Sequence, residues 1–90
     1  MFVWKDHSRY VEVLPVETGW FVVWGTYEDG GRRKLIAGNR VYTSQGGARR
    51  RVADAVLALT RRPHLAAEAV FAFDGFPFPA HETAELPAAL

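Results

Sequence analysis

Cysteine is absent from this 90-residue sequence. Disulfide frameworks, thiolate zinc sites, iron–sulfur clusters and cysteine nucleophiles are therefore excluded. Secreted domains of this length usually depend on disulfides, so the absence favours a cytoplasmic protein. The longest wholly apolar runs, among them Trp20–Trp24, are much shorter than a membrane-spanning helix. Charge also follows Met1 too closely for the apolar run of a signal peptide, so we expect no membrane association.

Residue patterns that carry catalysis or bind metals are also missing. His7, His64 and His81 are scattered, and none has a second metal ligand at helical spacing. Neither Ser8 nor Ser44 stands in a nucleophile-elbow pattern, and no dinucleotide-binding or P-loop glycine motif occurs. We therefore expect a protein that is not an enzyme, needs no cofactor or metal, and acts by binding.

Apolar residues, in contrast, are plentiful. They make up 49% of the chain, and aromatic residues make up 13%, which is more than a disordered chain carries. Ninety residues leave room for one hydrophobic core. The sequence thus predicts a single compact domain over residues 1–79 and a frayed tail over residues 80–90, where small and polar residues dominate.

Alternating residues and turn signals in the first half predict antiparallel strands. Tyr10–Leu14 has the pattern of a strand, and Pro15 should end it or confine it to a sheet edge. Trp20–Tyr27 is apolar on both faces, so it should lie centrally with both sides covered. Asp29 and Gly30 favour a tight hairpin after it. The remaining predicted strands are Phe2–Trp4, Arg33–Ala37 and Arg40–Thr43.

Apolar residues at helical spacing predict two helices after the strands. Thr43 and Ser44 are good N-cap residues, but glycines follow, so the regular helix should begin near Ala48. Pro63 should end or kink this helix. A shorter helix is expected from His64 to about Phe73. The predicted fold class is α+β: an antiparallel meander of three to four strands, a helix on one face, a second short helix and an extended C-terminal segment.

Positive charge is concentrated in the middle of the chain. Residues 32–62 contain nine Arg and Lys but one acid, a net charge of +8, whereas residues 1–31 and 63–90 carry −3 and −4. This segregation favours an anionic partner, either nucleic acid or an acidic protein surface. The candidate binding residues lie in the hairpin, the last strand and the helix entry: Arg32, Arg33, Lys34, Arg40, Ser44, Gly46, Gly47, Arg49, Arg50 and Arg51.

Each part of this basic segment has two interpretations. A helix start exposes free N–H groups, and neighbouring arginines add bidentate donors for phosphate; alternatively the glycines only shape the loop and the arginines are solvated. Successive helical residues lie about 100° apart, so Arg49, Arg50 and Arg51 cannot all face one partner. A basic hairpin fits the DNA major groove; alternatively its charges keep the sheet edge from pairing with other strands.

A protein-interaction module is the alternative function: a small inhibitor, an adaptor or a subunit of a homodimer. One helix covers one face of a sheet, so the second apolar face needs cover from the C-terminal phenylalanines, from another copy or from a different protein. Those phenylalanines are Phe71, Phe73, Phe76 and Phe78. The candidate interface residues are Trp20, Trp24, Phe76 and Phe78.

Part of the pattern resembles a known family. A Trp-led strand, an Asp-Gly hairpin, a basic return strand and an aromatic-Thr-Ser helix entry are similar to the amino-terminal arm-binding domains of phage-type tyrosine integrases. The matching residues, within about residues 20–60, are Trp20, Asp29-Gly30, Arg32–Lys34, Tyr42–Ser44 and Ala48. Such domains lay a three-stranded sheet into the major groove, so the resemblance implies a DNA-binding accessory or regulatory module. Small bacterial sheet-plus-helix domains look equally similar.

Overall fold

Five strands in one antiparallel sheet are followed by two helices in the structure, a computed structural model that describes residues 1–37 and 40–76, without the side chain of Ala37. The predicted α+β fold is thereby confirmed. The extended segment expected after Phe76 and the tail over residues 80–90 lie outside the described residues. In chain order the elements are β1 (Phe2–Lys5), β2 (Arg9–Val16), β3 (Gly19–Tyr27), β4 (Arg33–Ala37), β5 (Val41–Tyr42), α1 (Gln45–Thr60) and α2 (Pro63–Gly75).

The strands follow one another across the sheet in the order β1-β2-β3-β4, and β5 also pairs with β3. Strand β4 pairs with the second half of β3, where Lys34 lies opposite Thr26, and β5 pairs with the first half, where Tyr42 lies opposite Trp20. Together β4 and β5 therefore form one edge of the sheet. The hairpin between β3 and β4 turns at Gly30 and Gly31, which both have positive φ angles of about 80°.

Pro15 lies inside β2, so the prediction that it ends the strand is wrong. The N–H of Val13 donates to the Met1 carbonyl on the β1 side, at 2.8 Å. Backbone N–H groups two residues apart point to the same side of a strand. At Pro15 that side lies beyond the end of β1, where no ladder hydrogen bond is lost. Pro15 is thus tolerated because β2 is an edge strand at this position, beyond the end of β1. This is the second alternative that the sequence left open.

The first helix begins earlier than predicted, at Gln45 and not near Ala48. Ser44 is the N-cap, as expected, and its hydroxyl accepts the N–H of Gly47 at 3.0 Å. A cap of this kind contributes about 1 kcal/mol, which offsets much of the cost of the two glycines in the first turn. At the other end of α1, Arg61 has a left-handed φ of 57°. Pro63 then starts α2, a position for which its fixed φ is suited.

Both helices pack on the same face of the sheet. Helix α2 contacts α1 and β1. Phe73 is fully buried in this core and Phe76 packs against it, whereas Phe71 is 81% exposed. These three phenylalanines therefore do not cover the second face of the sheet, contrary to expectation. The core consists of Val3, Val11, Val13, Trp20, Val22, Trp24, Ala48, Val52, Ala55, Val56, Ala66, Ala69 and Phe73.

Neither helix covers the second face of the sheet, which we call the open face. Side chains alternate between the two faces of a strand, so the residues next to a core residue in the same strand point to the open face. Residues directly opposite them on the neighbouring strands point to the same face. Tyr10 is nevertheless buried, because the rings of Phe2 and Tyr27 lie 6.1 and 5.3 Å from its own. The open face comprises Phe2, Tyr10, Glu12, Leu14, Phe21, Val23, Tyr27, Arg33, Leu35 and Val41.

Asp6 organises the turn between β1 and β2. Its carboxylate accepts the backbone N–H groups of Ser8 and Arg9 at 2.9 and 2.7 Å, and the Arg9 guanidinium at 2.7 and 3.1 Å. Burial alone raises the pKa of Asp6, but these hydrogen bonds outweigh it and lower the pKa from 3.8 to about 2. Arg9 also donates to the Leu59 carbonyl at 2.6 Å, which ties the turn to the last turn of α1.

We expect Asp6→Asn to lower the free energy of unfolding by about 1 kcal/mol at pH 7, since the pair is partly exposed to solvent. The folded-state pKa lies below the unfolded one, so the unfolded state binds more protons between pH 4 and pH 2. The wild type should lose its advantage as pH falls through this window. Urea unfolding at both ends of the window measures it; an equal deficit at both pH values contradicts it, and Glu17→Gln on the exposed turn is the control.

Candidate nucleic-acid interface

Five cationic residues lie in the segments where β4 and β5 form the sheet edge and where α1 begins. Four of them are exposed, and the fifth, Arg51, is partly buried. The β3–β4 hairpin, strand β4, the residue before β5 and the first two turns of α1 supply them. We call this group the basic edge: Arg32, Lys34, Arg40, Arg50 and Arg51.

The helix entry brings five of the predicted binding residues together. Arg40 and Arg50 line one open depression of about 450 Å³ with Ser44, Gly46 and Gly47. The hydroxyl of Ser44 is used by the cap, but the N–H of Gly46 in the first turn has no intrahelical acceptor. An atom added at the Cβ position of Gly46 would meet nothing within 4 Å. An anion could therefore approach the positive end of α1 between the two arginines.

Aromatic rings hold two of these arginines against the sheet. The Arg40 guanidinium lies 5.2 Å from the centre of the Tyr42 ring, and that of Arg51 lies 4.4 Å from Trp24. Each cation–π contact contributes about 0.5–1 kcal/mol at such partly exposed sites. Trp24 pairs with Ala37 on β4, so Arg51 lies beside the middle of the edge. The contacts orient the charges without neutralising them.

The basic edge has almost no internal charge compensation. Among residues 1–37 and 40–76, no carboxylate lies within 4 Å of the four arginines of the edge. Lys34 has one distant partner, Glu28, at 3.9 Å. An exposed pair with this separation contributes little to stability and is screened by salt. The positive charge of the basic edge is therefore largely uncompensated by the described carboxylates.

Two predicted binding residues are directed elsewhere. Arg33 donates to the Glu12 carboxylate at 2.6 Å on the open face, and this hydrogen bond raises the pKa of Arg33. Arg49 donates to Asp74 at 3.0 and 3.1 Å and so joins α1 to α2. Arg49 and Arg51 thus lie on different sides of α1, as a rotation of about 100° per residue predicts for positions two residues apart. Of the basic segment, one depression brings Arg40 and Arg50 together, whereas Arg33 and Arg49 are paired elsewhere.

The described members of the predicted interface, Trp20, Trp24 and Phe76, do not form a surface. Trp20 and Trp24 are 1% and 8% exposed beneath the helices, so they belong to the core. Phe76 is half-buried at the end of α2, and Phe78 lies outside the described residues. The apolar surface is instead the open face: the sequence predicted a second apolar face of the sheet, but the described interface residues that it indicated were the wrong ones. Because β3 is apolar at every position from Trp20 to Trp24, alternation could not show which side the helices take.

Other kinds of site find no support in the part of the chain that the structure describes. There, no three histidine or acidic side chains are close enough to hold a metal ion. No helix of that part has the length and apolar character needed to cross a membrane. Comparisons with protein-family models, with curated proteins and with solved structures find no match to this chain. Function must therefore be inferred from the basic edge and the open face.

Proposed function

We propose that this domain is a non-enzymatic accessory or regulatory module that binds nucleic acid, and double-stranded DNA in particular, through the basic edge. One observation carries the proposal: four arginines and a lysine lie on the β4–β5 edge segments and the first two turns of α1, and the only carboxylate within 4 Å of any of them, in the described residues, is Glu28 at 3.9 Å. Uncompensated Arg and Lys side chains supply most of the affinity in nucleic-acid binding, because they replace counterions on phosphates.

The length of the basic edge suits several phosphates at once. Along β3 the edge runs from Thr26, opposite Lys34, to Trp20, opposite Tyr42. At about 3.3 Å per residue this distance is roughly 20 Å. Each DNA strand presents a phosphate about every 3.4 Å along the helix axis. Four or five contacts with one or both strands are therefore within reach of a rigid sheet edge and a helix start.

DNA is favoured over other anions by the resemblance to integrase arm-binding domains in residues 20–60. The resemblance implies a sheet face in the major groove, but here the open face is apolar and its Arg33 is paired with Glu12. Charge therefore favours contact through the edge. An acidic protein surface is the competing partner, and the experiment below separates it from DNA.

The double variant Arg40→Glu with Arg50→Glu should bind a labelled duplex at least tenfold more weakly than the wild type. For the wild type, four phosphate contacts predict an affinity that falls about 100-fold between roughly 50 and 200 mM NaCl. Loss of two contacts should reduce the slope of log affinity against log salt by about 1.8. Fluorescence anisotropy with a duplex and with a single strand of equal length measures both quantities.

The matched control is Arg61→Glu with Arg62→Glu, which changes the net charge equally. These residues lie beyond the end of α1, about 15 Å from Arg51 along the helix axis. The control should change affinity less than about threefold, since it removes only long-range attraction. Equal losses in both double variants, or no binding of either probe at low salt, would contradict the proposal. Displacement of DNA by polyglutamate at matched charge would favour an acidic protein partner.

A further inference from the structure

The open face is a continuous apolar surface at its centre. Phe21 of β3 lies between Leu14 of β2 and Val41 of β5, with which it is paired on either side. Leu14 and Leu35 are 39% and 58% exposed. Val23 continues the surface one pleat further along β3. A central strand that is apolar on both faces is typical of sheets that are covered on both sides.

The charge of the open face differs from that of the basic edge. Glu12 accepts Arg33 at 2.6 Å and lies 3.5 Å from the terminal ammonium of Met1. Lys5 Nζ lies over the Phe2 ring, 4.9 Å from its centre, at the rim. Glu12 and Arg33 neutralise each other, and the two remaining cations, Lys5 and the Met1 ammonium, lie at the two ends of the edge strand β1, so the apolar centre of the face carries no net charge. A surface of this kind is compatible with a second copy of itself, since no like charges meet across its apolar centre.

The area of the open face suits a weak, reversible interface. Strands β2 and β3 pair over eight positions, whereas β1, β4 and β5 each flank only part of this length. At about 3.3 Å per residue and 4.8 Å per strand, the face offers roughly 440 Å² per copy. A pair would bury about 900 Å², which is the size of transient interfaces.

We propose that two copies of this chain associate through their open faces. The sheets would pack about 10 Å apart with the helices outside, as in other aligned sheet packings. A two-fold axis places the same patch on both subunits, which a surface with an uncharged apolar centre permits. The basic edges remain at the sides of the sheets and accessible. The dimer does not depend on the binding of DNA, so the two proposals can fail separately.

Sedimentation equilibrium of the wild type without nucleic acid tests the dimer. The mass should rise from one chain to two over protein concentrations from about 1 to 300 µM, the range in which weak, reversible interfaces form. Raising NaCl from 0.1 to 0.5 M should leave the association unchanged or stronger, in contrast to DNA binding. A single-chain mass throughout the range overturns the proposal.

Charge substitutions locate the interface. Leu14→Glu and Leu35→Glu should each raise the dissociation constant at least tenfold, since each places a charge in the apolar contact. Phe71→Glu and Leu57→Glu are the matched controls, because these exposed apolar residues lie on the helices; they should change it less than twofold. Circular dichroism confirms that each variant is folded. If the helix variants dissociate the dimer and the sheet variants do not, the interface is the helical layer and the proposal is wrong.

Discussion

Phe73→Ala is expected to lower the free energy of unfolding by about 3–5 kcal/mol, because the ring is fully buried and its removal leaves a cavity. A domain of 90 residues has a total stability of about 5–13 kcal/mol. The substitution therefore removes a large part of it. Phe73 belongs to α2 and to the core cluster, so its loss should release α2 first. The midpoint of urea unfolding measures the change.

Phe71→Ala is the matched control, since Phe71 lies two residues earlier in the same helix and is 81% exposed. Its substitution should change stability by no more than about 0.5 kcal/mol. The comparison removes helix propensity as an explanation, because both variants make the same replacement in α2. Comparable losses in the two variants would show that α2 is packed with a different face inwards.

Gly25→Ala is expected to cost about 2–4 kcal/mol and to separate β4 from β3. Gly25 does not have a positive φ, so space and not backbone conformation requires glycine here. An added Cβ would collide with the carbonyl oxygen of Lys34 and lie 2.9 Å from the Tyr10 hydroxyl. The register of the pairing shifts at this position, which explains the close approach of the two backbones. Amide hydrogen exchange should show β4 unprotected while β2 keeps its protection.

Gly46→Ala provides the opposite case. Gly46 lies in the first turn of α1, and an added Cβ meets nothing within 4 Å. Alanine is favoured over glycine in helices by up to about 1 kcal/mol, so the variant should be as stable as the wild type or more stable. Urea unfolding of the two glycine variants side by side separates steric exclusion from a general effect of adding a methyl group. A Gly25→Ala protein with wild-type stability would contradict the tight packing of β3 and β4.

The parts of the fold that depend on local sequence could be predicted. Trp20–Tyr27 and the Asp29-Gly30 turn set a strand and a hairpin within a few residues, and β4 has the predicted bounds. Whether Pro15 ends β2 or lies within it at a sheet edge depended on where β1 ends, and no residue near Pro15 indicates that. The start of α1 depended on how much of the cost of the two glycines the Ser44 cap offsets, a balance of terms that are each about 1 kcal/mol.

The candidate site was predicted only as a stretch of the chain. Arg33 and Arg49 are directed away from the basic edge by their ion pairs with Glu12 and Asp74. These partners are 21 and 25 residues away in sequence, so the pairs could not be foreseen from neighbouring residues. Charge counting cannot reveal such pairs. The same limit applies to Trp24, whose aromatic character fits a core residue and an interface residue equally. Packing of the helices decides between them, and it also leaves Phe21 on the open face.

The contact between α2 and β1 has a consequence for the order in which the chain assembles. Neighbouring strands of the meander are joined by short turns, whose closure costs little entropy. The contact of β1 with α2 closes a loop of about 60 residues, at a cost of about 3–4 kcal/mol by the logarithmic rule. Contacts between residues that are close in sequence form faster than such distant ones, because they close shorter loops. The sheet and α1 should therefore form first, and the docking of α2 onto the first strand completes the folding reaction.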